Sequence, residues 1–190
     1  MQQVPAWEWL DQSLLLGSVL IALLHAAGLA LRPGLLQAVL FALLALGHGI
    51  RLVRWFDKGL LRVPLLWSLH LAYGWLVLAC AGMALWHLGL LDSPSPALHA
   101  LTVGAMGGLI LGMLARVSLG HTGRSLELPR GFALAFVLLN LAALLRVLGV
   151  GIHYSLALWL AAALWVGAFT LYLYRYGPML CRTRADGHPG

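Results

Sequence analysis

The stretch His99–Arg124, HALTVGAMGGLILGMLARVSLGHTGR, decides how the rest of the chain is interpreted. It is apolar for most of its length, yet it begins with a histidine and carries another, His121, near its end. Gly104, Gly108 and Gly112 recur at every fourth position. On an α-helix this spacing lines up bare backbone along one face, which another helix or a flat cofactor can approach closely. The stretch therefore predicts a membrane helix with a function beyond crossing lipid.

The composition extends this prediction to the whole chain. The protein is 62% hydrophobic and 9% charged, with a mean hydropathy of +0.90, whereas soluble domains carry about 25% charged residues. The net charge of +6 lies in a few loops rather than on a basic face, which argues against nucleic acid as a partner. The absence of CxxC and CxxCH motifs excludes covalent c-type haem and thiolate zinc sites.

Six apolar segments are long enough to cross a hydrocarbon core, which needs about 20 residues. The predicted fold is all-α, a polytopic bundle of six transmembrane helices with no soluble domain. The predicted spans are residues 13–31, 35–53, 64–91, 96–119, 132–148 and 152–174, in a membrane domain of residues 1–176 that precedes a polar cytoplasmic tail of residues 177–190.

The basic residues predict the orientation of this bundle. With six spans, both termini and the second and fourth loops share one side, and ten of the 12 Lys and Arg residues fall there: Arg51, Arg54, Lys58, Arg62, Arg116, Arg124, Arg130, Arg175, Arg182 and Arg184. Only Arg32 and Arg146 lie on the opposite side. Because positive residues concentrate in cytoplasmic loops, both termini are predicted to be cytoplasmic.

Three motifs carry a resemblance to a known family. They are PLLWSLHLAYGWL at 64–76, HALTVGAMG at 99–107 and LGHTGRSL at 119–126. The chain resembles the NnrS family of bacterial polytopic membrane proteins over about residues 51–126. Members are associated with haem, with copper and with the response to nitric oxide, and are typically about twice as long, so the chain resembles their C-terminal half. The resemblance implies an inner-membrane protein with nitric oxide as a ligand and with either a homodimer or an N-terminal half as a partner.

Histidines at one predicted depth are candidates for a b-type haem. Ionisable residues are costly inside a membrane, so they usually have a function, and imidazole is a common axial ligand. His48, His70 and His121 come from three spans near the cytoplasmic side. The resemblance, more than the spacing, favours His70 as one ligand, with His48 and His121 as alternatives for the second. Arg124 and two other arginines at this level could pair with the propionates.

A second candidate site is copper near the outer side. His99 with Met106 offers the mixture of nitrogen and thioether that Cu(I) accepts, and Met83 could approach from the neighbouring span. Met106 lies about 10 Å along the helix from His99, so such a site would need His87, His25 or another helix as well. Across both sites, His99, His70 and His121 are the predicted metal ligands. The ordinary alternative is that the methionines only fill the core.

The remaining spanning histidines have simpler interpretations. His25, His87 and His153 are expected to be hydrogen bonders within the bundle, and His87 and His153 lie close to the interface. Three functions stay open: a haem and copper protein of the nitric oxide response, a b-type cytochrome that transfers electrons, or a metal-free transporter or structural partner that dimerises along the glycine ladder. Whether the protein is an enzyme, with redox or nitric oxide chemistry, is open as well.

Overall fold

The structure is a computed structural model that describes residue 5 and residues 7–187. Residues 1–4, 6 and 188–190, at the ends of the predicted membrane domain and tail, lie outside the described residues. The described chain is helical and contains no strand. Its six main helices are α1 (Glu8–Ala26), α2 (Leu35–Arg54), α3 (Pro64–His87), α4 (Ser95–His121), α5 (Ala133–Val147) and α6 (Tyr154–Leu180), with short 3-10 turns at Lys58–Arg62 and Gly149–Gly151. All six spans are long and apolar enough to cross a membrane, which confirms the predicted fold class.

Two helices differ most from the predicted boundaries: α6 continues to Leu180, past the expected end at residue 174, and α1 is displaced as a whole. This helix starts at Glu8 and ends at Ala26, where residues 13–31 were expected. Glu8 and Asp11 lower the hydropathy of the segment, but they lie in the first turn, where a negative charge stabilises the positive end of the helix dipole. The helix ends early because Gly28 has a φ of 75°, a left-handed conformation that terminates helices.

Helix α4 is irregular in its first half. Between α-helical turns at Ser95–His99 and Gly107–His121, residues Ala100–Met106 form a π-helical segment. Such a segment inserts extra residues per turn and changes which side chains face a neighbouring helix. The regular glycine spacing gave no sign of it.

Helix α3 lies at the centre of the bundle. It contacts α2 on one side and α4 on the other, while α1 packs on α2 and α5 packs on α6. One apolar cluster joins α1, α2, α3 and the start of α4. A second apolar cluster joins the start of α3 and the second half of α4 to α5 and α6.

Two polar contacts tie the helices together inside the bundle. Trp75 Nε1 donates to Asn140 Oδ1 at 2.9 Å, and the Asn140 amide donates to the Phe136 carbonyl at 2.8 Å. The hydroxyls of Ser118 and Tyr172 are 2.8 Å apart. Hydrogen bonds of this kind fix the relative positions of membrane helices. They matter because apolar helix surfaces gain little free energy when they exchange contacts with lipid for contacts with each other.

Both described chain ends lie on one side of the bundle, called the terminal face below. Near the N-terminus, Arg54 Nη2 donates to the Pro5 carbonyl at 2.8 Å. In the tail, the Ala185 amide donates to the Thr122 carbonyl at 2.9 Å. Arg184 donates to the His121 carbonyl at 3.2 Å and pairs with Asp186. The hydrogen bonds to Asp186 raise the pKa of the Arg184 guanidinium above its ordinary value.

Candidate functional site

A cavity of ≈ 310 Å³ lies among α1, α2, α3 and the first turns of α4. Its wall is mainly aliphatic and aromatic. The chemically distinctive groups on the wall are Ser18, His25, His48, Cys80 and Met83. The two histidines come from different helices, and His48 lies nearer the terminal face because it is in the last two turns of α2. The cavity is therefore apolar along its length, with an imidazole toward each end.

The end of the cavity near the terminal face holds a polar network. His48 is 7% exposed, and its Nδ1 is 2.6 Å from the Tyr73 hydroxyl. The Arg51 guanidinium acts electrostatically on both His48 and Tyr73. Its Nε is 3.2 Å from Asp11 Oδ1, and its Cζ lies 4.5 Å above the Trp55 ring. The network links a half-exposed carboxylate of α1 to a buried imidazole in the cavity wall.

Near the opposite end of the cavity, two histidines contact one aromatic ring: His25, which lines the cavity, and His87, which lies behind its wall. His25 and His87 both contact Phe41, with ring centroids 5.8 and 5.5 Å from it, and they are close enough to interact electrostatically. His25 Nδ1 donates to the Ile21 carbonyl at 3.1 Å. His87 is 4% exposed, and neither of its ring nitrogens makes a hydrogen bond of good geometry, although the Arg32 backbone lies nearby.

His87 therefore differs from its expected role as an interfacial residue. A buried imidazole without a partner is costly in an apolar environment. His153, by contrast, is exposed, and its Nδ1 accepts a weak hydrogen bond from the Leu156 amide at the start of α6, so it caps its own helix and does not join two helices. Of the histidines near the outer side, His87 is the one whose ring lacks an explanation in the fold.

The glycine ladder is filled by α3. A Cβ at Gly104 would lie 2.9 Å from the Cβ of Trp75, and one at Gly108 would lie 2.8 Å from the Cβ of Ala72. At Gly112 the Leu69 side chain is equally close. The ladder is thus a helix–helix seam within the chain. It offers no face to a cofactor, and its role as a dimer seam is not compatible with this arrangement.

The residues predicted to hold haem lie in two places. His70 is half-buried on α3, with its ring 5.9 Å from that of Phe56, and it makes no hydrogen bond within the described chain. His48 lies in the same seam between α2 and α3. His121 is exposed at the end of α4, and Arg124 follows it, with its guanidinium 3.4 Å from the Thr122 carbonyl. No described contact joins His121 to either of the other two histidines.

The predicted copper ligands of α4 do not converge. His99 is half-buried in the first turns, where its Nδ1 donates to the Ser95 carbonyl at 2.7 Å. Met106 is 49% exposed, and Met113, seven residues further along α4, is 46% exposed. Both side chains therefore face outward, so they neither fill the core nor meet Met83. Met83 itself is buried in the wall of the cavity. Within residues 7–187, no three His, Cys, Asp or Glu side chains are close enough together to hold a metal ion.

Sequence reasoning missed the cavity and its two ends. A usable signal is the stripe Leu76, Cys80, Met83 and His87, whose spacing of three to four residues places its members on one face of α3. Three of the four line the cavity. The stripe was hard to recognise because it continues an uninterrupted apolar run.

Comparison with known proteins gives one match. The sequence matches the family described as "NnrS protein" over residues 1–184, well beyond the segment that carries the motifs. No curated protein and no solved structure matches.

Proposed function

The chain belongs to the NnrS family, and on that premise we propose that it acts in the response to nitric oxide as a multi-pass protein of the bacterial inner membrane. The observation that carries a site-level proposal is His87, a buried imidazole beside His25 whose ring nitrogens make no hydrogen bond of good geometry within the described residues. Burial of an imidazole in a membrane protein is energetically unfavourable unless its nitrogens find a partner, and a bound metal ion would provide one.

We propose that His25, His87 and Met83 bind copper. When His25 is neutral, its Nδ1–H is used by the Ile21 carbonyl, so its Nε2 presents a lone pair. Met83 lies one turn before His87 on α3, and both are buried. Two imidazoles and a thioether are a donor set that suits Cu(I), and copper would supply a one-electron centre.

The copper proposal is tested by metal content and affinity. Apo-protein in detergent is titrated with Cu(I) against a chromophoric chelator, using wild type, His87→Ala and His25→Ala. Both variants are expected to lose the tight site, while His153→Asn, which keeps a capping side chain at an exposed histidine, retains it. Unchanged Cu(I) affinity in His87→Ala would contradict the assignment.

For haem, we propose His70 as the axial ligand at the terminal face. Support comes from its two ring nitrogens, which carry no hydrogen bond within the described chain, and from its half-buried position beside Phe56. His48 and His121 remain the alternatives for a second ligand, with Arg124 near the propionates. Haem would supply an iron centre to which diatomic ligands bind.

The haem proposal is tested by difference spectra. Protein from haem-supplemented cells is compared, oxidised and reduced, for wild type, His70→Ala and the control His153→Asn. Loss of the reduced α band in His70→Ala alone is the expected result. Retention of wild-type haem in that variant would contradict it.

Both termini are proposed to be cytoplasmic because ten of the 12 basic residues share the side of the terminal face. The two cysteines provide a test, since Cys181 is exposed in the tail and Cys80 is buried. An impermeant maleimide should label inverted vesicles and leave intact spheroplasts unlabelled, with Cys80→Ser as the matched control. Labelling of spheroplasts would reverse the orientation.

A further inference from the structure

The polar groups of the cavity wall are one hydroxyl, one thiol and two imidazoles. Ser18 uses its hydroxyl to donate to the Leu14 carbonyl at 2.7 Å, and the remaining polar wall groups are His25, His48 and the Cys80 thiol. Among the described residues, no Lys, Arg, Asp or Glu lines the wall. A carboxylate or phosphate head group would be buried there without a counter-charge, which is strongly unfavourable. The occupant that fits is therefore a neutral, largely apolar molecule.

The contact between His48 and Tyr73 determines what His48 presents to that occupant. The Tyr73 hydroxyl carries one proton, and His48 Nδ1, 2.6 Å away, is the acceptor that the described contacts offer it. Arg51, which also contacts Tyr73, can only donate. The phenol therefore donates to Nδ1, and the ring proton of neutral His48 stands on Nε2. This Nε2–H makes no hydrogen bond within the described chain, and His48 lines the cavity.

An N–H at one end of an apolar cavity selects a ligand with an acceptor oxygen. The neighbouring wall is formed by Leu44, Leu76 and Leu101. A para-quinone head group with its first isoprenoid unit is neutral, flat and apolar, and it ends in a carbonyl oxygen. Its size suits a cavity of ≈ 310 Å³, which lies at the lower end of ligand pockets of about 300–1,000 Å³.

We propose that this cavity binds a membrane quinone, with the His48 Nε2–H donating to one ring carbonyl and Tyr73 holding His48 in that tautomer. This role concerns binding alone. It is compatible with haem held by His70 and His121 but not with His48 as the second axial ligand, because both nitrogens of His48 are then in use. Arg51 and Asp11, paired with each other, keep the network beside Tyr73 in place.

Binding of ubiquinone-1 to detergent-purified apo-protein provides the first test. His48→Leu should weaken binding by roughly 3- to 10-fold, the effect of one lost hydrogen bond. Ala22→Phe places a ring at an exposed position of the cavity wall and should weaken binding at least about tenfold, because most of the apolar contact is lost. The matched controls are His153→Asn and Ala163→Phe, an exposed alanine on α6 away from the cavity. Both should bind as wild type does.

Infrared spectra of carbonyl-labelled ubiquinone-1 separate the hydrogen bond from general packing effects. In wild type, one carbonyl stretch should shift to lower frequency. This shift should be absent in His48→Leu, and Tyr73→Phe should show only part of it. Elution volume in size-exclusion chromatography confirms that each variant is folded. Wild-type affinity in both His48→Leu and Ala22→Phe would overturn the proposal, as would a co-purified phospholipid that ubiquinone-1 fails to displace.

Discussion

The seam between α3 and α4 makes a graded prediction from three glycines of one helix. Alanine at Gly104 would place its methyl group 2.9 Å from the Cβ of Trp75 and closer still to the ring. The ring cannot swing away easily, because its Nε1 is bonded to Asn140 and the residue is 7% exposed. Overpacking of a rigid core site costs about 1–3 kcal/mol, and Gly104 should lie at the upper end, about 3 kcal/mol.

The other two positions calibrate this value. At Gly112 the obstructing atom is the Cδ2 of Leu69, the end of a flexible side chain, so alanine should cost about 1 kcal/mol or less. At Gly120 nothing lies within 4 Å, so alanine should be neutral or stabilise the helix by up to about 1 kcal/mol.

Thermal unfolding in detergent, followed by intrinsic fluorescence, measures the series. For a chain of this size 1 kcal/mol corresponds to about 2–4 °C, so Gly104→Ala should lower Tm by about 6–12 °C. Gly112→Ala should lower it by less than about 4 °C, and Gly120→Ala should not lower it. If Gly104→Ala has the same Tm as wild type, or if Gly120→Ala lowers Tm as much as Gly104→Ala does, the proposed seam is wrong.

Three further predictions concern the polar contacts. Trp75→Phe leaves the Asn140 carbonyl without its donor and should lower the free energy of unfolding by about 1–3 kcal/mol in the same assay. Adding Asn140→Leu should recover part of that stability. No recovery would mean that the loss comes mainly from the smaller ring volume. Ser118→Ala and Tyr172→Phe should each cost about 0.5–1.5 kcal/mol, and a double-mutant cycle should show that they are coupled; additive losses would show that the hydroxyls do not interact. Arg184→Ala should speed hydrogen exchange at the tail amides, because it removes the tie to the loop after α4; unchanged exchange would mean that the Arg184 contact does not hold the tail in place.

The sequence alone determined the membrane class, the number of spans and most helix ends. These properties follow from quantities that add along the chain: hydropathy over about 20 residues, the placement of basic loops, and residues such as Pro64 that begin a helix. It also led to the family, because the motifs around His70, His99 and His121 are local in sequence. The start of α1 was missed because hydropathy penalises Glu8 and Asp11, while the helix dipole favours them there.

Only the tertiary structure decided which face of each helix meets another. In a soluble protein apolar periodicity marks the buried face, but a membrane helix is apolar toward lipid and toward its neighbours alike, so that signal is weak. Met106 and Met83 were therefore both candidates for one copper site, although Met106 faces outward and Met83 lines the cavity. His48 and Tyr73 are 25 residues apart, and their contact exists only because α2 and α3 pack side by side. The chemistry of the cavity arises from such distant pairs, which no local pattern in the sequence specifies.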